Sequence, residues 1–155
     1  MFRDITTLLK DGDSLAKASD ALYEFSKDLG IDKVVGIESR GFIFGSLLAK
    51  KLGVGLVLVR KPGKLPAATI SQSYTLEYGE DTLEIHNDAI KPGERILVHD
   101  DLLATGGTAR AACDLIEKAG GKIIQISFII ELAFLGGKEK FKDYIVNALV
   151  SYDSE

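Results

Sequence analysis

The chain has 155 residues, 19 basic and 23 acidic side chains, a formal net charge of −4 and a pI near 5.3. That length suits one domain, over residues 1–155, with a core of its own. The acidic balance argues against a general nucleic-acid or anionic-membrane surface. Cys113 is the only cysteine, so no intrachain disulfide and no cysteine-based zinc site can form, and its place in a helical pattern predicts a packed thiol. The opening MFRDITTLLKDGDS breaks its apolar residues with acids and lysines, unlike a secretory signal. The longest apolar run, Ile123–Ile130, is interrupted by Gln125 and Ser127 and is too short to span a bilayer. A cytoplasmic, reduced protein is expected.

In chain order, Asp13 is placed to cap a helix over Ser14–Leu29, with an apolar stripe at Leu15, Leu22, Phe25 and Leu29 and Gly30 at its end. Lys33–Ile37 reads as a short buried strand. Gly41–Leu52 follows as a helix stopped by Gly53, and Gly55–Arg60 as a second buried strand. Pro62, Gly63 and Pro66 mark a loop. Tyr74–Tyr78 and Thr82–Ile85 flank Gly79-Glu80-Asp81 as a small hairpin. Pro92-Gly93 turns the chain into strand Arg95–His99, then comes helix Thr108–Ala119, the most apolar strand Ile123–Ile130, and a last strand at Tyr144–Val150. Continuous apolar strands alternating with helices predict an α/β fold, a mostly parallel sheet with helices on both faces and the hairpin as an appendage.

In such sheets ligands bind beyond the carboxyl ends of the strands. Three polar clusters fall just after predicted strands and should converge there: Glu38-Ser39-Arg40-Gly41, Arg60–Lys64, and Asp100–Thr108. Ala104, Thr105, Gly106, Gly107 and Thr108 open a helix, where unsatisfied backbone N–H groups attract phosphate and glycine permits close approach. The loop lacks the lysine and spacing of a Walker motif, and no dinucleotide fingerprint is present. Asp100 and Asp101 beside it would repel a bare anion. They suit a phosphate attached to a hydroxyl-rich group, whose hydroxyls donate to carboxylates, and they can hold magnesium through water. A phosphorylated ribose meets both demands; an acidic turn that merely caps a helix is the alternative. Arg60, Lys61 and Lys64 would supply a counter-surface for further phosphate, or else form a solvated basic turn. His86 and His99 form no ligand cluster and are expected to be structural.

The stretch VHDDLLATGGT resembles the phosphoribosyl-diphosphate (PRPP) motif of the type I phosphoribosyltransferases. Together with GIESRGFIFG, VRKPGKLP, SYTLEYG and LEIHNDAIKPG it is similar to the adenine-using branch of that family, from Phe2 to about Tyr152. The resemblance implies transfer of the 5-phosphoribosyl group from PRPP to adenine, giving AMP and diphosphate in purine salvage. It implies magnesium carried by PRPP, with no direct metal ligand in the protein, and a homodimer. It puts Asp100, Asp101 and Ala104–Thr108 on the ribose 5-phosphate. Glu38, Ser39, Arg60, Lys61 and Lys64 fall on the diphosphate, and Phe2, Arg3, Arg40 and Leu102 on the adenine. Ser73–Gly79 would be a lid whose Glu77 exchanges a proton with N7 of the base; closure would desolvate that carboxylate and keep water from the activated sugar. A related enzyme using hypoxanthine, guanine or xanthine, and a non-catalytic PRPP sensor, are the rival readings. Glu77 and the lack of an extra domain or basic surface favour an enzyme.

The chain departs from the family in a few places. His99 stands where an aliphatic residue is usual, with a local packing change expected, and Ala67-Ala68 follow Pro66 where small residues vary. Most relatives carry a further segment before Phe-Arg-Asp that covers the base. Because this chain begins at Met1, weaker adenine binding with intact PRPP binding is expected.

Overall fold

The computed structural model describes residues 3–155. A short helix α1 (Thr6–Leu9) and helix α2 (Gly12–Ser26) lead to strand β1 (Lys33–Ile37), helix α3 (Gly41–Leu52) and strand β2 (Gly55–Val59). A hairpin follows, β3 (Thr69–Leu76) and β4 (Gly79–His86). Then come β5 (Arg95–Leu103), α4 (Gly107–Lys118), β6 (Lys122–Leu132), two 3-10 turns (Ala133–Leu135 and Gly137–Phe141) and β7 (Ile145–Tyr152). The five main-sheet strands are all parallel, in the order β2-β1-β5-β6-β7, while β3 and β4 form a separate antiparallel pair.

Burial on both faces explains the unbroken apolar runs. On one face Leu22 of α2 and Phe44 and Leu48 of α3 pack with Val34 and Leu97 of the sheet. On the other, Ala112, Leu115 and Ile116 of α4 and Leu83 and Ile85 of the hairpin pack on Val35, Ile96, Val98 and Phe128. Each such Leu, Ile or Phe, fully removed from water, contributes about 1.5–3 kcal/mol, so Leu83 and Ile85 help dock the hairpin's base, beside the backbone hydrogen bonds between Arg60 and Glu84. The two polar interruptions of the most apolar strand have partners inside the core. Gln125 Oε1 accepts from Ser26 Oγ (2.7 Å) while its Nε2 donates to Asn147 Oδ1 (2.7 Å), and Ser127 Oγ lies 2.8 Å from His99 Nδ1. Cys113 is fully buried, and burial pushes its thiol up to about 12, in line with a packed role.

Several boundaries differ from expectation. Asp11, not Asp13, caps α2: its Oδ2 accepts the Ser14 N–H at 2.9 Å, which starts the helix at Gly12. The helix ends at Ser26 rather than Leu29. Its buried face is Ala18, Ser19, Leu22 and Ser26, leaving Phe25 exposed. The hairpin is longer than expected and turns at Glu77-Tyr78, because Leu76 pairs with Gly79 and Tyr74 with Asp81; Asp81 therefore lies in a strand. The strand β5 does not stop at His99 but runs to Leu103, since β6 continues to pair with it through Glu131.

Candidate active site

The extension of β5 decides where the two acids point. Asp100 and Asp101 are consecutive strand residues, so they leave the backbone on opposite faces instead of lying together in a loop. Asp101 is 5% exposed, and its Oδ2 accepts from Arg40 Nε at 2.5 Å. That bond and the Asp101 charge raise the affinity of the guanidinium for its proton. Asp100 Oδ1 accepts the N–H of Asp101 at 2.8 Å. Burial first, and the Asp101 charge second, raise the Asp100 carboxyl well above the ordinary range. The start of α3 presses on the same point: a Cβ on Gly41 would lie 2.9 Å from the His99 carbonyl oxygen and 3.2 Å from Asp100 Cα. Only glycine lets α3 approach this closely. Gly41 was placed in a site cluster by sequence, but this packing role was not foreseen.

Just beyond, Ala104–Thr108 folds over the start of α4. Gly106, at φ +82°, is the residue before the first helical one, and no side chain caps this end. The first-turn N–H groups thus carry no side-chain cap. A cavity of about 100 Å³ is lined by the whole loop together with Asp100 and Leu102. Among the described residues, no group of three or more His, Cys, Asp and Glu is gathered to hold a metal ion.

The cationic turn is less open than its composition implied. Glu38, which follows β1, turns its carboxylate onto that turn: Oε1 accepts the Lys61 N–H at 2.6 Å and lies 3.4 Å from Arg60 Nε. The Glu38–Ser39 peptide is cis, and exposed Ser39 accepts the Phe42 N–H at 3.2 Å. The Glu38 side chain therefore organises the cations. Lys61 Nζ pairs with Asp81 and lies 3.3 Å from the Tyr74 hydroxyl. Burial works against charge on Lys61, but the bonds to Asp81 and Tyr74 outweigh it and raise its pKa, while the same bond lowers that of Asp81. Lys64 is exposed, its carbonyl 3.4 Å from Arg60 Nη1.

The hairpin bends over this ground. Glu77 and Tyr78 form its tip, Tyr78 being 89% exposed. With Thr75 and Leu76 they enclose a cavity of about 400 Å³ against Thr105, Gly107 and Thr108. Lower on the hairpin, the Tyr74 hydroxyl accepts from Thr108 Oγ1 at 3.4 Å. Glu77 thus lines one cavity, and Asp100 and Leu102 another, with Thr105, Gly107 and Thr108 common to both. Arg40 stands behind Asp101, and Arg60 and Lys61 flank the hairpin. Arg3 rests on the Tyr152 ring, 3.6 Å from its centroid, and Phe2 lies outside the described residues. Tyr74 and Asp81 were not foreseen as site residues. Tyr74 lay within the lid motif, whereas Asp81 was hidden by the misplaced turn.

His99 is structural, as expected, but polar. It is fully buried edge-on to Phe44, with ring centroids 6.4 Å apart, and burial pushes its pKa down to about 4.

A glycine-rich helix start with no side-chain cap at the carboxyl end of a parallel sheet, with two acids before it and a hairpin beside it, is the arrangement expected of a phosphoribosyl-transfer domain. The chain belongs to the phosphoribosyltransferase family, whose phosphoribosyl transferase domain model matches residues 4–151. Within that family it groups with the adenine phosphoribosyltransferases. It is 57% identical to the adenine phosphoribosyltransferase of Chloroflexus aurantiacus, over 97% of this chain and 87% of that one. The crystal structure of the Thermoanaerobacter pseudethanolicus enzyme superposes with a TM-score of 0.94 at 47% identity, covering 97% and 88% of the two chains. The Saccharomyces cerevisiae enzyme, crystallised with an imino-altritol bisphosphate and adenine, gives 0.89 at 41% identity, covering 96% and 86%. Among the described residues, no helix is long and apolar enough to cross a membrane.

Proposed function

We propose that this chain transfers the 5-phosphoribosyl group of PRPP to N9 of adenine, releasing AMP and diphosphate, as a magnesium-dependent homodimer in the cytoplasm. The observation that carries the reading is the loop common to the two cavities: the Glu77 tip faces the cavity of Thr105, Gly107 and Thr108, with Asp100 behind that loop. The N–H groups at the start of α4 and the Thr105 and Thr108 hydroxyls hold the 5-phosphate. Ribose hydroxyls donate to Asp100 and Asp101, with Arg40 holding Asp101 in place. Carboxylate charge at this end of β5 would favour the anomeric carbon as it becomes cationic while its bond to diphosphate breaks, although burial disfavours that charge on Asp100. Arg60, Lys61 and Lys64 receive the diphosphate, and Glu77 takes the N7 proton as N9 bonds to that carbon. Leu102 contributes apolar surface near the base, and Phe2 and Arg3 belong to the base-binding stretch.

The donor set suits a magnesium ion that arrives on the substrate. Asp100 and Asp101 can reach such an ion through water, and burial that disfavours charge on Asp100 leaves that carboxylate ready to be stabilised by a cation. Bound on the diphosphate, magnesium would neutralise its charge and improve it as a leaving group.

The test is AMP formation from adenine and PRPP with magnesium, with guanine and hypoxanthine as competing bases. Turnover with adenine alone supports the reading; preference for either other base, or no turnover with any, overturns it.

A further inference from the structure

We infer that Gly137, in the 3-10 turn after β6, is a positioning residue for the phosphate loop: its bare backbone is the floor on which Ala104 and Thr105 lie. A Cβ on Gly137 would stand 2.2 Å from the Ala104 carbonyl oxygen and 3.0 Å from the Thr105 carbonyl carbon. Both are backbone atoms, so no side-chain rotation relieves the clash and the loop itself must move. The contact is reciprocal. A Cβ on Gly106 would meet the Gly137 carbonyl oxygen at 2.9 Å and Phe141 Cε2 at 3.2 Å. Two glycines, one in the loop and one 31 positions later, therefore face each other, and neither tolerates a side chain.

The floor is itself anchored. Phe141, 1% exposed, lies below Gly106, and the Arg110 guanidinium of α4 sits 5.8 Å from its ring centroid while Arg110 Nη1 lies 3.4 Å from the Lys140 carbonyl oxygen. The turn is thus held to the same helix whose start, on our reading, binds the 5-phosphate. Gly137 touches no atom of the substrate on that reading; it sets where the loop's N–H groups point. Displacing such donors weakens hydrogen bonds to a charged phosphate, each worth on the order of tenfold to a hundredfold in affinity.

The inference rests on the assignment of residues 104–108 to the 5-phosphate, and the experiment separates the two. Ribose 5-phosphate and magnesium diphosphate are titrated calorimetrically into wild type, Thr105→Val, Gly137→Ala and Gly136→Ala, with thermal unfolding of each. Gly136, at φ +68°, has no loop atom within 4 Å of a Cβ, so its replacement strains the same turn without touching the loop. Gly137→Ala should bind ribose 5-phosphate about ten- to a hundredfold more weakly and diphosphate as wild type does, with Gly136→Ala unchanged for both. Should Gly137→Ala fail to fold, Phe141→Leu, which trims the floor below Gly106, should show the same one-sided loss at several-fold. Wild-type affinity for ribose 5-phosphate in folded Gly137→Ala, or in Phe141→Leu where that variant stands in, overturns the inference. So does an equal loss for both ligands. If Thr105→Val leaves ribose 5-phosphate affinity untouched, it is the assignment of the loop that fails.

Discussion

At the end of β5 the cleft is set by backbone against backbone, with Gly41 under Asp100, Gly137 under Ala104 and an arginine locked to the buried Asp101. In the β3–β4 hairpin the base is held by Leu83 and Ile85 in the core and by two backbone hydrogen bonds between Arg60 and Glu84 (3.0 and 2.8 Å), and further out only side chains, Tyr74 and Asp81, reach to Lys61. The first region is fixed largely by backbone contacts and can hold a bound group in one geometry. The second is tied at its base by the Arg60–Glu84 bridge and ends in an exposed tip, so the tip can open at the cost of a few polar contacts. A transfer reaction that must exclude water needs both kinds of construction.

The sharpest way to separate the two is Glu77→Gln, for which the largest effect is expected. Glu77 is exposed at the hairpin tip, so the exchange should leave unfolding unchanged. Loss of a proton acceptor lowers kcat by about 10²–10⁴-fold, with PRPP affinity retained because the phosphate loop is untouched. Steady-state kinetics at saturating substrates, paired with calorimetric PRPP binding, check this. Full kcat would remove Glu77 from the chemistry.

The rigid half should reveal itself through His99. Its pKa falls from 6.5 in the unfolded chain to about 4 in the folded one. Between those values the unfolded chain binds a proton that the folded chain refuses. The stability from neutral His99 is therefore complete above pH 6.5 and is lost as pH falls toward 4. The difference amounts to roughly 3 kcal/mol. Asp100 acts in the opposite sense: its raised pKa gives stability present below 3.8 that is lost as pH rises. That contribution is common to wild type and His99→Leu and cancels between them. Urea unfolding of both at pH 7, 5.5 and 4 should show wild type losing more stability, by up to that amount. Parallel curves would mean that His99 is not sealed from water.

How much was legible in the sequence follows the same division. Glycine, phosphate-nest chemistry and strand periodicity are local signals, so α3, β1 and the loop Ala104–Thr108 could be read directly. The extension of β5 could not, because it is dictated by β6, more than twenty residues away, and with it went the expectation that Asp100 and Asp101 share a loop. The pairing of Lys61 with Asp81 depended on a turn placed two residues too late. Gly137 carried no signal at all: a glycine needed for a contact across 31 positions looks like any other glycine in a turn.

The smallest expected effect tests how lightly the hairpin is held. Asp81→Asn removes the carboxylate partner of Lys61, whose side chain is 37% exposed against 30% for Asp81. Ion pairs this open to water are worth about 0.2–1 kcal/mol and weaken with salt. Global unfolding should hardly change, because Leu83 and Ile85 still anchor the hairpin's base. The loss should fall instead on local opening. Exchange of the β3–β4 amides around Tyr74 and Thr82 should quicken by up to about fivefold, which corresponds to 1 kcal/mol, while β5 and α4 keep their protection. In wild type, raising the salt concentration should reproduce part of that change, and in the variant it should do little, since the screened pair is already gone. Equal acceleration in β5 would mean that hairpin and phosphate loop open as one unit, and the contrast between an adjustable lid and a fixed floor would not hold.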